Sequence, residues 1–133
     1  MSSVLYNVNW SYEENYKKGP VGLAKLKKPI FKLPKPKFKF LGFPLNLPFG
    51  IPSGPLLNSK FVKAAYDFGF SINTYKTVRS NYFPCHPFPN VVYVDAPEKL
   101  DTLKTQNLKV KYNNIDLKKI SITNSFGVPS RDP

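Results

Sequence analysis

The hydrophobic pattern changes character at Leu41, and the downstream part of the chain carries the clearest element signals. The run LGFPLNLPFGIPSGP (41–55) is apolar, with glycine or proline every two to four residues. That texture predicts two short strands or a strand hairpin and disfavours a helix. Asn58 or Ser59 can cap a helix, and KFVKAAYDF (60–68) then places Phe61, Ala64, Ala65 and Phe68 on one face. Gly69 suits the left-handed position that ends such a helix. FSINTYKTV (70–78) is rich in β-branched and aromatic residues, as a buried strand requires. Residues 41–78 therefore read as one βαβ unit, whose right-handed crossover makes the two strands parallel.

A loop containing Pro84, Pro87 and Pro89 follows, then a strand over Val91–Val94. The polar stretch 95–119 is expected to hold a short helix near Glu98–Thr105 and a strand near Leu108–Tyr112. ISITNSFG (120–127) reads as a strand running into a glycine turn. No internal repeat is visible.

Upstream, the segment KKGPVGLAKLKKPIFKLPKPKFKF (17–40) is of another kind. Prolines at 20, 29, 34 and 36 remove backbone donors and disfavour helix. Lys35, Lys37 and Lys39 alternate with Pro36, Phe38 and Phe40, which suits an extended edge segment with lysines outward and aromatics inward. Residues 1–40 are read as a basic, proline-rich leader lying across a body formed by 41–133. A contact of this leader with a membrane surface or a polyanion is the alternative.

Charge follows the same division. The 133 residues carry a formal net charge of +12, of which the nine lysines and two glutamates of residues 1–40 supply +7. The body is only moderately basic, which weakens the nucleic-acid reading that so high a charge would otherwise favour. A single cysteine excludes an internal disulfide framework and a multi-cysteine zinc site, so no metal is expected. No apolar run approaches the about 18 residues of a spanning helix and no signal peptide opens the chain, so a soluble cytoplasmic protein is expected. The length falls well short of the about 250 residues of a complete (β/α)₈ barrel.

Three polar clusters follow the predicted strands. Pro52-Ser53-Gly54-Pro55 lies at the end of the first. Its glycine would let the backbone approach a planar ligand and Ser53 offers one hydrogen bond, although Ser-Gly-Pro is also an ordinary turn. Tyr75-Lys76-Thr77 places a lysine inside an apolar strand, where its charge needs a partner or a cavity. Such a lysine could neutralise an anionic substrate or a reduced flavin, or could snorkel from the strand end. Arg79 could serve the same face or be solvated. In ITNSFGVP (122–129), Asn124 supplies both a donor and an acceptor, and Gly127 would leave adjacent N–H groups open to a carboxylate. The adjacent Cys85 and His86 could form a nucleophilic pair, but neighbouring side chains in a proline-rich loop rarely face one another.

Taken in order, FGIPSGPLLNSKFVKAAYDFGF (49–70), TYKTVRS (74–80), HPFPN (86–90) and ITNSFGVPS (122–130) resemble the dihydroorotate dehydrogenases, FMN enzymes built on a (β/α)₈ barrel. The resemblance covers residues 41–133 and implies that the chain is the N-terminal part of such an α/β barrel within a longer enzyme. It implies that Ser53, Gly54, Lys76, Thr77 and Asn124 contact the cofactor. Lys76, Asn124, Phe126, Gly127 and Val128 would bind dihydroorotate or orotate, with Lys76 acting electrostatically in catalysis. His86 replaces the usual asparagine of the family's Asn-Pro-x-Pro loop. The family's catalytic base, a cysteine or serine on a later loop, would lie beyond Pro133, as would its phosphate-binding glycines.

The reading is therefore flavin-dependent oxidation of dihydroorotate to orotate in pyrimidine biosynthesis, with an unidentified electron acceptor and an inactive isolated chain. A homo-oligomer is compatible with it. A flavoprotein of the dihydropyrimidine dehydrogenase kind is the alternative within the family fold. A non-catalytic chain whose leader binds polyanions is the alternative outside it; the absence of aromatic stacking motifs argues against nucleic acid as its target.

Overall fold

A computed structural model describes residues 5–22, 32–96, 107–111, 116 and 121–130. It is a mixed helix and strand structure. The elements are α1 (Tyr12–Lys18), β1 (Phe38–Phe40), β2 (Phe43–Leu45), β3 (Gly50–Ile51), α2 (Ser59–Asp67), β4 (Ile72–Asn73), β5 (Val91–Asp95), β6 (Lys109–Lys111) and β7 (Ser121–Asn124).

The βαβ unit forms as its pattern predicts. Asn58 is the N-cap of α2 and accepts a hydrogen bond from Lys60 N, while Gly69 follows the helix at φ +108°. Phe61, Ala64 and Ala65 are the buried face. β3 and β4 pair in parallel, Gly50 opposite Ile72 and Ile51 opposite Asn73. The ladder is shorter than the sequence suggests. It ends at Asn73 with one further bond from Thr74 N to Ile51 O at 3.0 Å, so Lys76 lies beyond the strand, not inside it. A Cβ at Gly50 would overlap the carbonyl of Ile72. Gly50→Ala is therefore expected to separate β3 from β4 and to lower stability by about 1–3 kcal/mol, the usual penalty of overpacking; a urea midpoint equal to that of the unmodified chain would show that the pair tolerates the methyl.

A second, antiparallel sheet has the order β6-β5-β7, with Val91 opposite Asn124 and Tyr93 opposite Lys111. β6 falls within the strand expected near Leu108–Tyr112, while the helix expected near Glu98–Thr105 lies outside the described residues. Only β3 and β4 show the parallel arrangement of a barrel unit among the described strands.

The upstream segment departs from expectation in two ways. β1 and β2 form a hairpin whose two-residue turn, Leu41-Gly42, has both residues at positive φ. Phe38 and Phe40 are each more than two-fifths exposed, so the aromatics predicted to face inward do not. Earlier still, residues 5–22 are built into the core. Ser11 and Glu14 form a reciprocal capping box that starts α1. Asn15, buried within it, accepts from Asn7 N and donates to the carbonyls of Asn7, Trp10 and Ser11. Tyr12 joins Leu56, Leu57, Phe61, Ala65, Val91 and Phe126 in one cluster, against which Tyr6 packs. The Tyr6 ring stacks on Phe61 at 5.4 Å between centroids.

Candidate functional site

A cavity of about 280 Å³ opens beside the β5–β7 pair. It is lined by Tyr6, Gly54, Pro55, Lys76, Val91, Ile122, Thr123, Asn124, Phe126 and Gly127. Five residues singled out from the sequence thus meet at one place: Gly54, Lys76, Asn124, Phe126 and Gly127. The other three lie beside it. Thr77 Oγ1 donates to Ser53 Oγ at a long 3.5 Å, and Val128 is exposed with its carbonyl turned to Arg79.

Lys76 is held by the bond from its backbone N to Leu56 O, 3.0 Å, which seats its side chain at the margin of the core. The residue is 7% exposed, and no carboxylate pairs with it among the described residues. Burial, and next the Arg79 charge, hold its pKa below the ordinary lysine value, with Cys85 opposing them slightly. A buried cation lining a cavity, with no counter-charge among the described residues, has the chemistry to receive an anion.

β7 delivers Asn124 to the same cavity as it leaves the antiparallel sheet. Asn124 Oδ1 accepts from Phe126 N at 3.4 Å, so the acceptor half of the amide is turned toward its own loop. The Nδ2 donors remain for a ligand. Gly127 follows at φ +68°, and a methyl there would approach His86 Nε2 to 2.9 Å. His86 therefore packs on the glycine turn, which the sequence alone did not show.

The proline-rich loop serves this turn throughout. Cys85 Sγ donates to Phe126 O at 3.3 Å, and burial pushes the thiol pKa up, the opposite of what a nucleophile needs. Among the described residues the part of His86 that acts on the Cys85 thiol is its backbone, not its imidazole. Asn90, 2% exposed, is the junction that sequence reasoning missed. Its Oδ1 accepts from Tyr12 N at 3.0 Å, its Nδ2 donates to His86 O at 2.8 Å, and its carbonyl accepts from Ser125 N at 2.8 Å. One residue thereby ties the three segments together: its side chain joins α1 to the proline-rich loop, and its backbone carbonyl holds the Asn124–Gly127 loop. Tyr6 was likewise not anticipated. Among the described residues no group of three His, Cys, Asp or Glu is arranged to hold a metal, and no helix is long and apolar enough to cross a membrane.

Comparison with known proteins agrees with the family resemblance. The chain is 40% identical to the dihydroorotate dehydrogenase of Dictyostelium discoideum over 134 aligned residues. This chain is homologous to part of that enzyme. The match covers 95% of this chain and 36% of the relative, so the chain spans about a third of the relative's length. No family model matches, and no solved structure matches. The matched region includes most of residues 1–40, since 95% coverage cannot be reached without them. The homology thus extends upstream of the motifs that carry the resemblance.

Proposed function

We propose that these residues form the pyrimidine-binding part of a flavin-dependent dihydroorotate dehydrogenase of the pyrimidine biosynthetic pathway, whose (β/α)₈ barrel needs the equivalent of the relative's remaining length. The observation that carries the reading is the buried Lys76, without a carboxylate partner among the described residues, lining one cavity together with Asn124 and Gly127. The cavity volume lies just below the about 300–1,000 Å³ typical of drug-sized ligand sites, which suits one small ring. Orotate has the matching chemistry: a carboxylate for Lys76, ring carbonyls for the Asn124 Nδ2 donors, and a planar face for Phe126. Lys76 and the bound carboxylate would offset each other's desolvation.

The residues fit one edge of FMN and no more. Ser53 and Thr77 offer hydroxyls, Gly54 has open space where a Cβ would stand, and Lys76 offers a positive charge. When bound, FMN supplies the hydride acceptor. The chain's own part is to orient the dihydropyrimidine ring and to neutralise negative charge beside it. No Asp, Glu, His, Cys or Ser lines the cavity among the described residues, so the base that removes the C5 proton is assigned to sequence outside this chain.

Titration of the 133-residue chain with orotate and with uracil, followed by amide and side-chain NMR, tests the proposal. Orotate is expected to shift Lys76, Asn124 and Gly127 and to bind at least ~10-fold more tightly than uracil, which lacks the carboxylate. Equal affinities would favour a dihydropyrimidine dehydrogenase-like specificity. Shifts confined to the lysines of the upstream segment, lost steeply with salt, would favour polyanion binding.

A further inference from the structure

The loop carrying Asn124, Phe126 and Gly127 has little structure of its own. Its one internal side-chain bond is the 3.4 Å contact between Phe126 N and Asn124 Oδ1. It is held from outside. At its near end, Ser125 N and Oγ donate to the carbonyls of Asn90 and Pro89. At its far end, Ser130 and Phe83 exchange backbone bonds of 2.8 and 2.9 Å. Between these anchors lies the Gly127-Val128 turn, whose carbonyl contact is with Arg79.

Three interactions of Arg79 converge there. Its backbone N donates to Ser130 Oγ at 2.9 Å, its Nε donates to Val128 O at 2.9 Å, and its guanidinium lies 3.8 Å over the Phe83 ring. Arg79 also follows Lys76 by three residues on one stretch of chain, so what it grips is set in position relative to the lysine. We propose that Arg79 is a positioning residue of the ligand site: by clamping Val128 O against Phe83 it holds the Gly127 turn across the cavity from Lys76 and so sets affinity for the anionic pyrimidine. This rests on the pyrimidine-binding reading.

Charge alone does not account for an arginine here. Its positive charge works against the Lys76 ammonium, and no carboxylate pairs with it among the described residues. What arginine supplies and lysine does not is a directed Nε–H together with a planar face that stacks on an aromatic ring.

The test compares Arg79→Ala and Arg79→Lys with the unmodified chain. Three readouts are taken: ligand-free amide exchange, urea midpoint and orotate affinity. Both variants are expected to exchange the Gly127 and Val128 amides about tenfold faster and to bind orotate about tenfold more weakly, at an unchanged urea midpoint, as loss of one charge-assisted hydrogen bond implies. Unchanged exchange at Gly127 and Val128 overturns the proposal. Restoration of affinity by Arg79→Lys also overturns it, because Arg79 would then act as a point charge. A fall in urea midpoint that matches the loss of affinity overturns it too, since Arg79 would then support the fold as a whole. If the unmodified chain does not bind orotate, the pyrimidine reading falls, while the exchange rates still decide whether Arg79 holds the turn.

Discussion

Lys76→Ala is expected to weaken orotate binding by about 100-fold, the scale of an electrostatic contact removed from a site sheltered from water. Lys76→Met separates the two roles of the residue. Burial already disfavours the ammonium, and among the described residues no carboxylate offsets that penalty. A methionine of similar length fills the same space with no charge to desolvate, so the variant is expected to match or exceed the unmodified chain in urea midpoint while losing orotate affinity as fully as the alanine. A site that gives up stability for binding shows that pairing of effects. If Lys76→Met binds orotate normally, Lys76 does not face the ligand.

The pH dependence has a definite sign. Lys76 has a folded-state pKa below its unfolded value, so its ammonium works against folding at low pH, and that penalty is relieved as pH rises through the folded pKa. Ligand binding runs the other way, because the anion needs the cation. Orotate affinity should therefore fall as pH is raised through the lowered Lys76 pKa, with Arg79 and Cys85 the charged and titratable groups that act on it.

Asn90→Ala is expected to lower stability by about 2 kcal/mol, since it strands the buried Tyr12 N–H and removes the donor to the part-buried His86 carbonyl. Urea denaturation checks the size of the effect. Loss of amide protection in both α1 and the Ser125–Gly127 stretch checks its reach. Asn90→Asp keeps the acceptor for Tyr12 but loses the donor to His86 and buries a charge, so it should be no better than alanine. If α1 keeps its protection in Asn90→Ala, residues 5–22 do not depend on this junction and their packing alone holds them.

How much of this could be read in advance varies with the range of the interaction. Helix α2 was legible because its signals are local: Asn58 accepts from an amide two residues on, and the apolar face repeats at helical spacing. Helix α1 carried an equally local signal in Ser11-x-x-Glu14, but the four prolines and the lysines downstream directed the reading toward a leader. Lys76 stood out because a charge in an apolar run is costly, and that cost does not depend on knowing the fold. His86 and Cys85, conspicuous as chemistry, turned out to serve the shape of the Phe126-Gly127 turn.

By itself the sequence determined the βαβ unit and the strand positions near 91, 109 and 121, because each depends on spacing or residue type within a few positions. The antiparallel pairing of those three strands came from the tertiary structure. The tertiary structure alone decided that residues 5–22 belong to the core and that Asn90 joins three segments. It alone placed Tyr6, Gly54, Lys76 and Asn124 around one cavity. Those groupings bring together residues as far as 118 positions apart in the chain (Tyr6 and Asn124), and no periodicity encodes them. They exist only once burial of the shared core, centred on Phe61, has brought the segments together.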